Sequence, residues 1–164
     1  MNYRNETQMY PDVEKWMKKR LEAKYRRLPI DVYDTHTKYL SDFLEEKGLH
    51  VHFPDYPSYE IKVDVLGVIQ GRDNIELAFV ECKLNRITLR DVSQLLGYSK
   101  VAQPVHSILL SARGLNTSVT YLFDTFRRYD VLRYNDNKRM RIGAWNKTRL
   151  DIDPTSIIPR GELF

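Results

Sequence analysis

The sequence predicts an α/β fold, a mixed central β-sheet flanked by helices. Three observations lead there. Two β-branched, apolar runs flank the turn cluster Gly71, Arg72, Asp73 and Asn74, which reads as an antiparallel hairpin over about 59–70 and 75–84. A continuous apolar run at 105–112 suits a central strand covered on both faces. Helical periodicities stand before, between and after these runs. Strands that pair early and then alternate with helices specify a mixed sheet with helices on both sides.

The elements follow in order. Residues 1–10 are polar and are expected to be loose. Pro11 fits the first turn of a helix, and Val13, Trp16, Met17, Leu21, Tyr25 and Leu28 repeat at helical spacing. The helix is expected over about 11–27 and is ended by Pro29. Leu40, Phe43 and Leu44 mark a shorter helix over 35–47, with Gly48 as its C-terminal stop. Pro54 and Pro57 break the next stretch into loop or edge strand. After the hairpin, Thr88 and Asp91 resemble a capping box at the start of a helix. Its buried side is Val92, Leu95, Leu96 and Val101. The strand at 105–112 precedes a helix at 118–129, and two strands at 131–135 and 141–146 are expected around a polar turn. The tail 147–164 carries Pro154 and Pro159 and no period, and is expected to be extended. The whole chain reads as one domain with its core at about 11–146.

With 164 residues the chain can bury a full core without staples. Cys82 is the sole cysteine, so no internal disulfide forms, which favours a reducing, cytoplasmic setting. No apolar run reaches the length of a membrane span, and the N-terminus lacks the apolar segment of a secretory signal. Lys and Arg number 26 against 22 Asp and Glu, and the excess is concentrated. Residues 18–27 hold six bases against one acid, among them Lys18, Lys19, Arg26 and Arg27. Residues 127–149 include Arg127, Arg128, Arg139 and Arg141. Such clusters suit a polyanion such as nucleic acid; they equally describe a solvated helix face and a charged hairpin.

The chemistry is concentrated on the hairpin. Alternation places Leu77, Phe79, Glu81 and Lys83 on one strand face and Ala78, Val80, Cys82 and Leu84 on the other. Asp64 lies on the preceding strand between Val63 and Val65. Three ionisable groups on paired apolar strands are costly to bury apart and tolerable if they converge on one another and on a cation. Metal-assisted phosphodiester hydrolysis needs this set. Asp64 and Glu81 offer hard oxygen ligands for Mg2+ or Mn2+, with the backbone carbonyl of Cys82 as a third. A metal polarises the phosphoryl oxygen and lowers the pKa of a bound water. Lys83 can orient that water and stabilise developing charge; acting as general base depends on its pKa. Glu14 stands at the margin of the first helix's apolar stripe, beside Met17 and Leu21, where an acid can look into a cleft.

Asp64 followed by Glu81-Cys82-Lys83 resembles the PD-(D/E)xK nuclease superfamily, with its restriction-endonuclease-like fold. Val63 stands where the motif name has Pro. Members resembling Holliday-junction resolvases and RecB-type exonucleases carry a Glu on the helix before the hairpin, the place Glu14 holds. RecB-like members also carry Gln-x-x-x-Tyr on the helix after the Lys strand, which "QLLGY" supplies as Gln94 and Tyr98. The resemblance covers about residues 11–112, and the helix at 35–47 falls outside the family's core. It implies a metal-dependent nuclease acting in DNA repair, recombination or restriction, with DNA favoured over RNA. Asp64, Glu81, Glu14 and the Cys82 carbonyl would bind Mg2+ or Mn2+, and Lys83 and Gln94 would complete the catalytic set. Many relatives act as homodimers. The basic residues named above and Tyr98 are the expected nucleic-acid contacts.

Two other readings keep parts of this picture. A nucleic-acid-binding module of the same fold would keep the basic patches without needing the acids. An RNA-processing endonuclease subunit would use His, Tyr and Lys without metal, and no such trio is evident. Other chemistries fall away. His36, His50, His52 and His106 are scattered, with no zinc-ligand spacing. Cys82 reads as a small buried hydrophobe. There is no G-x-S-x-G elbow, P-loop or dinucleotide-binding glycine pattern.

Overall fold

In the computed structural model, which describes residues 2–164, one sheet of six strands runs through the molecule. The strands are β1 (Ile30–Asp34), β2 (Val65–Gln70), β3 (Ile75–Lys83), β4 (His106–Ser111), β5 (Arg141–Asn146) and β6 (Asp151–Ile152), side by side in chain order. β1–β2, β2–β3 and β5–β6 are antiparallel, and β3–β4 and β4–β5 are parallel. The helices are α1 (Tyr10–Lys24), α2 (Leu40–Glu46), α3 (Leu89–Ala102) and α4 (Thr117–Thr120), the last continued by a wide turn over Tyr121–Thr125. The α/β fold expected from the sequence, a mixed sheet flanked by helices, is the one the chain forms. Among the described residues no helix is long and apolar enough to cross a membrane.

Alternation along β3 divides the core in two. Leu77 and Phe79 face a cluster with Phe43 and Leu44 of α2, Val92 and Leu95 of α3, and Val119 of α4. Ala78, Val80 and Cys82 face the opposite cluster, with Val13, Met17 and Leu21 of α1. Those three residues, at i, i+4 and i+8, are fully buried, and each such side chain contributes roughly 1.5–3 kcal/mol of apolar transfer. α1 approaches closely because β2 offers Gly67 there. A Cβ at that position would lie 2.8 Å from both Leu21 Cδ1 and Met17 Cε. α3 begins with the anticipated capping box: Asp91 N–H donates to Thr88 Oγ1, and Thr88 N–H donates to Asp91 at 2.8 Å. After α2, Gly48 has φ +68, as a helix stop requires.

Several stretches differ from the expectation, each for a physical reason. β1 is an edge strand whose residues, apart from Ile30, stay half or fully exposed, so no continuous apolar run marked it. The hairpin starts at Val65 rather than near 59, because preceding carbonyls turn to other partners: Thr35 N–H donates to Asp64 and Leu40 N–H to Ile61. The strand expected at 131–135 is a tight turn at Tyr129–Leu132, and its pairing shrinks to a bridge between Arg133 and Arg139. Both termini are anchored. Tyr3, Met9 and Tyr10 are buried, as are Ile152 and Ile157 of the tail. Asp151 accepts hydrogen bonds from Trp16 Nε1 at 2.7 Å and from Arg20, tying β6 to α1.

β6 lies tight against β5 at Gly143, where an added Cβ would meet Ile152 Cγ2 at 2.7 Å. That methyl sits on a branched, buried carbon and has little room to yield. Gly143→Ala is therefore expected to lower stability by about 1–3 kcal/mol. The check is a urea titration in which the midpoint falls while the slope stays unchanged.

Candidate active site

β3 runs three residues past the end of its pairing with β2. The last β2–β3 pair is Val65 with Val80, and the next residue, Asp64, turns its carboxylate into the opening. Asp64 Oδ2 accepts the Cys82 N–H at 2.8 Å, and Oδ1 accepts the Tyr10 hydroxyl at 2.7 Å. The carboxylate is thus locked by donors from β3 and α1. Burial raises its pKa, and the bonds from Cys82 and Tyr10 oppose that shift.

Glu81 and Lys83 share the β3 face that carries Phe79, as strand alternation requires. Lys83 Nζ donates to Glu81 Oε1 at 3.1 Å. Glu81 is 5 % exposed, and its other oxygen, Oε2, is buried without a partner. Burial, with the Asp64 charge adding to it, pushes the Glu81 pKa up to about 7 against the pull of Lys83. For Lys83, burial acts to lower the pKa, but Glu81, Glu6 and Asp64 outweigh it, and the net shift is upward. The upward shift favours the ammonium form, which can orient a water and offset negative charge.

A buried carboxylate oxygen with no partner costs about 1–3 kcal/mol or more. A hard divalent cation is a fitting partner for it. Among the described residues no three His, Cys, Asp or Glu side chains gather as a ready ligand set. A cation here would rest on two carboxylates, main-chain oxygen and water, which Mg2+ accepts. The Cys82 carbonyl leaves β3 on the same edge as its N–H, the edge where β2 has stopped.

The structure brings Asp64, Glu81 and Lys83 together and places the other expected residues elsewhere. Glu14 is half-buried. Burial and then the charge of Asp34 raise its pKa, and neither Asp64 nor Glu81 contributes to that shift. The α1 residue that meets Asp64 is Tyr10, one turn earlier, and a turn is 5.4 Å of axial rise. The acid from the N-terminal region that reaches the site is Glu6. Its Oε1 accepts the Leu84 N–H at 3.3 Å, and its charge acts on both Asp64 and Lys83. Sequence reading missed Glu6 because residues 1–10 look polar. The available signals were the buried-type residues Tyr3, Met9 and Tyr10, and Asn5, which caps the turn at Glu6–Gln8. Gln94 and Tyr98 bond to each other at 3.2 Å on the open side of α3, and neither bonds to the three central residues.

The two basic tracts approach each other at His106, whose pKa is lowered by burial and then by both Lys24 and Lys138. Lys18, Lys19, Arg26 and Arg27 are exposed on and just after α1, which packs on the face opposite Glu81. Arg128 is held by Asp130 in a two-bond pair. Arg141 is half-buried and donates to the Pro159 carbonyl at 2.7 Å. Arg127 and Arg139 are exposed and line a cleft beside α4. Comparison of the chain with family models, curated proteins and solved structures finds no match in any of the three.

Proposed function

We propose that the chain is a divalent-cation-dependent nuclease of the PD-(D/E)xK kind, hydrolysing phosphodiester bonds of nucleic acid, with DNA favoured over RNA. The observation that carries this reading is the unpartnered, buried Oε2 of Glu81 beside the locked carboxylate of Asp64. A bound Mg2+ or Mn2+ supplies Lewis-acid polarisation of the phosphoryl oxygen and a water of lowered pKa. Asp64, fixed by Cys82 and Tyr10, and Glu81, with its open oxygen, hold the cation. Lys83 orients the attacking water and offsets the charge that develops on the phosphoryl oxygens. Water adds to phosphorus as one of its O–H bonds breaks, the ester P–O bond breaks, and the leaving oxygen takes up a proton from solvent in balance with the one the water released. The lone buried Cys82 fits a cytoplasmic setting.

One observation favours a second reading, a module that binds nucleic acid without cutting it. The Lys83–Glu81 pair at 3.1 Å partly satisfies itself without a cation. Labelled single-stranded, duplex and branched DNA, and RNA, incubated with Mg2+ or with EDTA, separate the two. The nuclease reading expects cleavage in Mg2+ and none in EDTA. Binding without cleavage in Mg2+ and Mn2+ overturns it in favour of the module.

The placement of Glu6 adds an expectation of its own. Glu6→Gln is expected to slow cleavage about tenfold or more, as loss of an outer group at a metal site does. Glu14→Gln, directed at a residue beside Asp34, is expected to slow it less. Single-turnover rates of the two variants at one Mg2+ concentration provide the check.

A further inference from the structure

A cleft of about 890 Å³ opens between α4 with its following turn and the C-terminal segment, and its lining includes none of Asp64, Glu81 and Lys83. Three arginines from three separate segments line it: Arg127 after α4, Arg139 before β5 and Arg160 in the tail. Two arginines close by in the chain are engaged: Arg128 pairs with Asp130, and Arg141 donates to Pro159. Among the described residues Arg127, Arg139 and Arg160 make no ion pair and no side-chain hydrogen bond. One acid, Asp124, also lines the cleft, leaving three positive charges against one negative.

Three further features mark the cleft as built. Arg127 has φ +51, the left-handed region that costs a non-glycine residue strain. Such strain persists where surrounding structure holds it and often marks a functional position. The tail segment on the other wall is fixed by the Arg141–Pro159 bond and by the backbone pairing of Ile158 with Ile142. Tyr129, also in the lining, stacks on Phe123 with ring centroids 6.4 Å apart and planes 6° from parallel, which leaves a firm aromatic edge.

We propose that this cleft is a binding site for a nucleotide phosphate, either a free nucleotide or the phosphorylated end of a strand. Arg127, Arg139 and Arg160 are its anion-binding groups. Unpaired guanidinium groups match phosphate oxygens with paired N–H donors. The volume falls in the range of small-molecule sites, which suits one or two nucleotide units rather than a duplex. Leu115, Tyr129 and Ile158 of the lining pack on the core cluster of Phe79 and Ile157 on the opposite one, so the cleft borders both. The proposal stands whether or not the Asp64–Glu81–Lys83 cluster cuts.

The test is binding in EDTA, where no cleavage is expected to interfere. The probes are a dye-labelled oligonucleotide with a terminal phosphate, the same strand with hydroxyl ends, a nucleoside monophosphate and inorganic phosphate. The phosphorylated strand is expected to bind more tightly than the hydroxyl-ended one, and the monophosphate and phosphate are expected to compete with it. Arg139→Gln and Arg160→Gln are each expected to weaken that binding about tenfold, and Arg72→Gln, in the exposed β2–β3 turn, to leave it unchanged. Arg127→Gly separates binding from folding. It relieves the left-handed strain, so the melting temperature is expected to rise by about 2 °C while binding weakens. Equal affinity for phosphorylated and hydroxyl ends, or equal loss in Arg72→Gln and Arg139→Gln, overturns the proposal. Cleavage in Mg2+ is scored separately, so failure of the cleft and failure of the nuclease reading are told apart.

Discussion

Glu81→Gln is expected to lower metal-dependent cleavage by at least about 10³-fold and, in the same protein, to raise stability above neutral pH. Both effects come from one buried carboxylate. Its folded-state pKa is pushed up to about 7 by burial and the Asp64 charge, against an ordinary value of 4.5. A raised acid binds its proton more tightly in the folded state than in the unfolded one. Stability therefore falls as pH rises from about 4.5 through 7 and levels off above. Glutamine does not titrate and removes that slope. In EDTA at pH 8 the variant is expected to be more stable than the natural protein by on the order of 2 kcal/mol, with the gap closing below pH 4. Urea midpoints at several pH values measure it. A site that is destabilising when empty and stabilised by what it binds also predicts that Mg2+ raises the melting temperature of the natural protein and not of the variant.

Lys83→Met is expected to slow cleavage by about 10²–10³-fold, the size of effect seen when one stabiliser of developing charge is removed. Lys83 is the cation nearest the acidic pair, donating to Glu81 at 3.1 Å and lowering the pKa of both acids. Its removal has a second, independent readout. Without that attraction the Glu81 carboxyl rises further above its already raised value, which carboxyl NMR titration of the metal-free protein follows. Lys83→Arg keeps the charge and is expected to hold the Glu81 titration nearer its natural position. It is still expected to cleave slowly, because a planar fork cannot take the place of a compact ammonium. An unshifted Glu81 titration in Lys83→Met contradicts the pairing.

Much of this arrangement could be read in the chain before any coordinates. β3 declared itself through an apolar run interrupted by two charges on one face, and only convergence makes such charges tolerable. α1 showed its stripe, and α3 showed its capping box. What escaped depends on contacts between distant residues. Tyr10 meets Asp64 across 54 positions, and no local pattern signals such a pair. Glu14 and Tyr10 share a helix face, and periodicity cannot tell which of two residues a turn apart will reach the end of a strand. Glu6 lies in a stretch whose polarity hid its buried neighbours. Arg160 joins Arg127 and Arg139 only because the tail folds back along β5, which its two prolines and missing period concealed. β1, half exposed at the sheet edge, lacks the apolar run that marks inner strands.

The central claim is that Asp64 and Glu81 form a cation-dependent hydrolytic site. The most direct measurement is single-turnover cleavage of a labelled DNA by the natural protein and by Asp64→Asn, in Mg2+ and in EDTA. The amide keeps an oxygen for the Cys82 N–H and a donor toward the Tyr10 oxygen, so the fold is expected to survive, as a matched melting curve confirms. Cleavage by the natural protein is expected in Mg2+, none in EDTA, and a loss of at least about 10³-fold in the variant. A folded Asp64→Asn that cuts within tenfold of the natural rate, or cleavage that persists in EDTA, would contradict it.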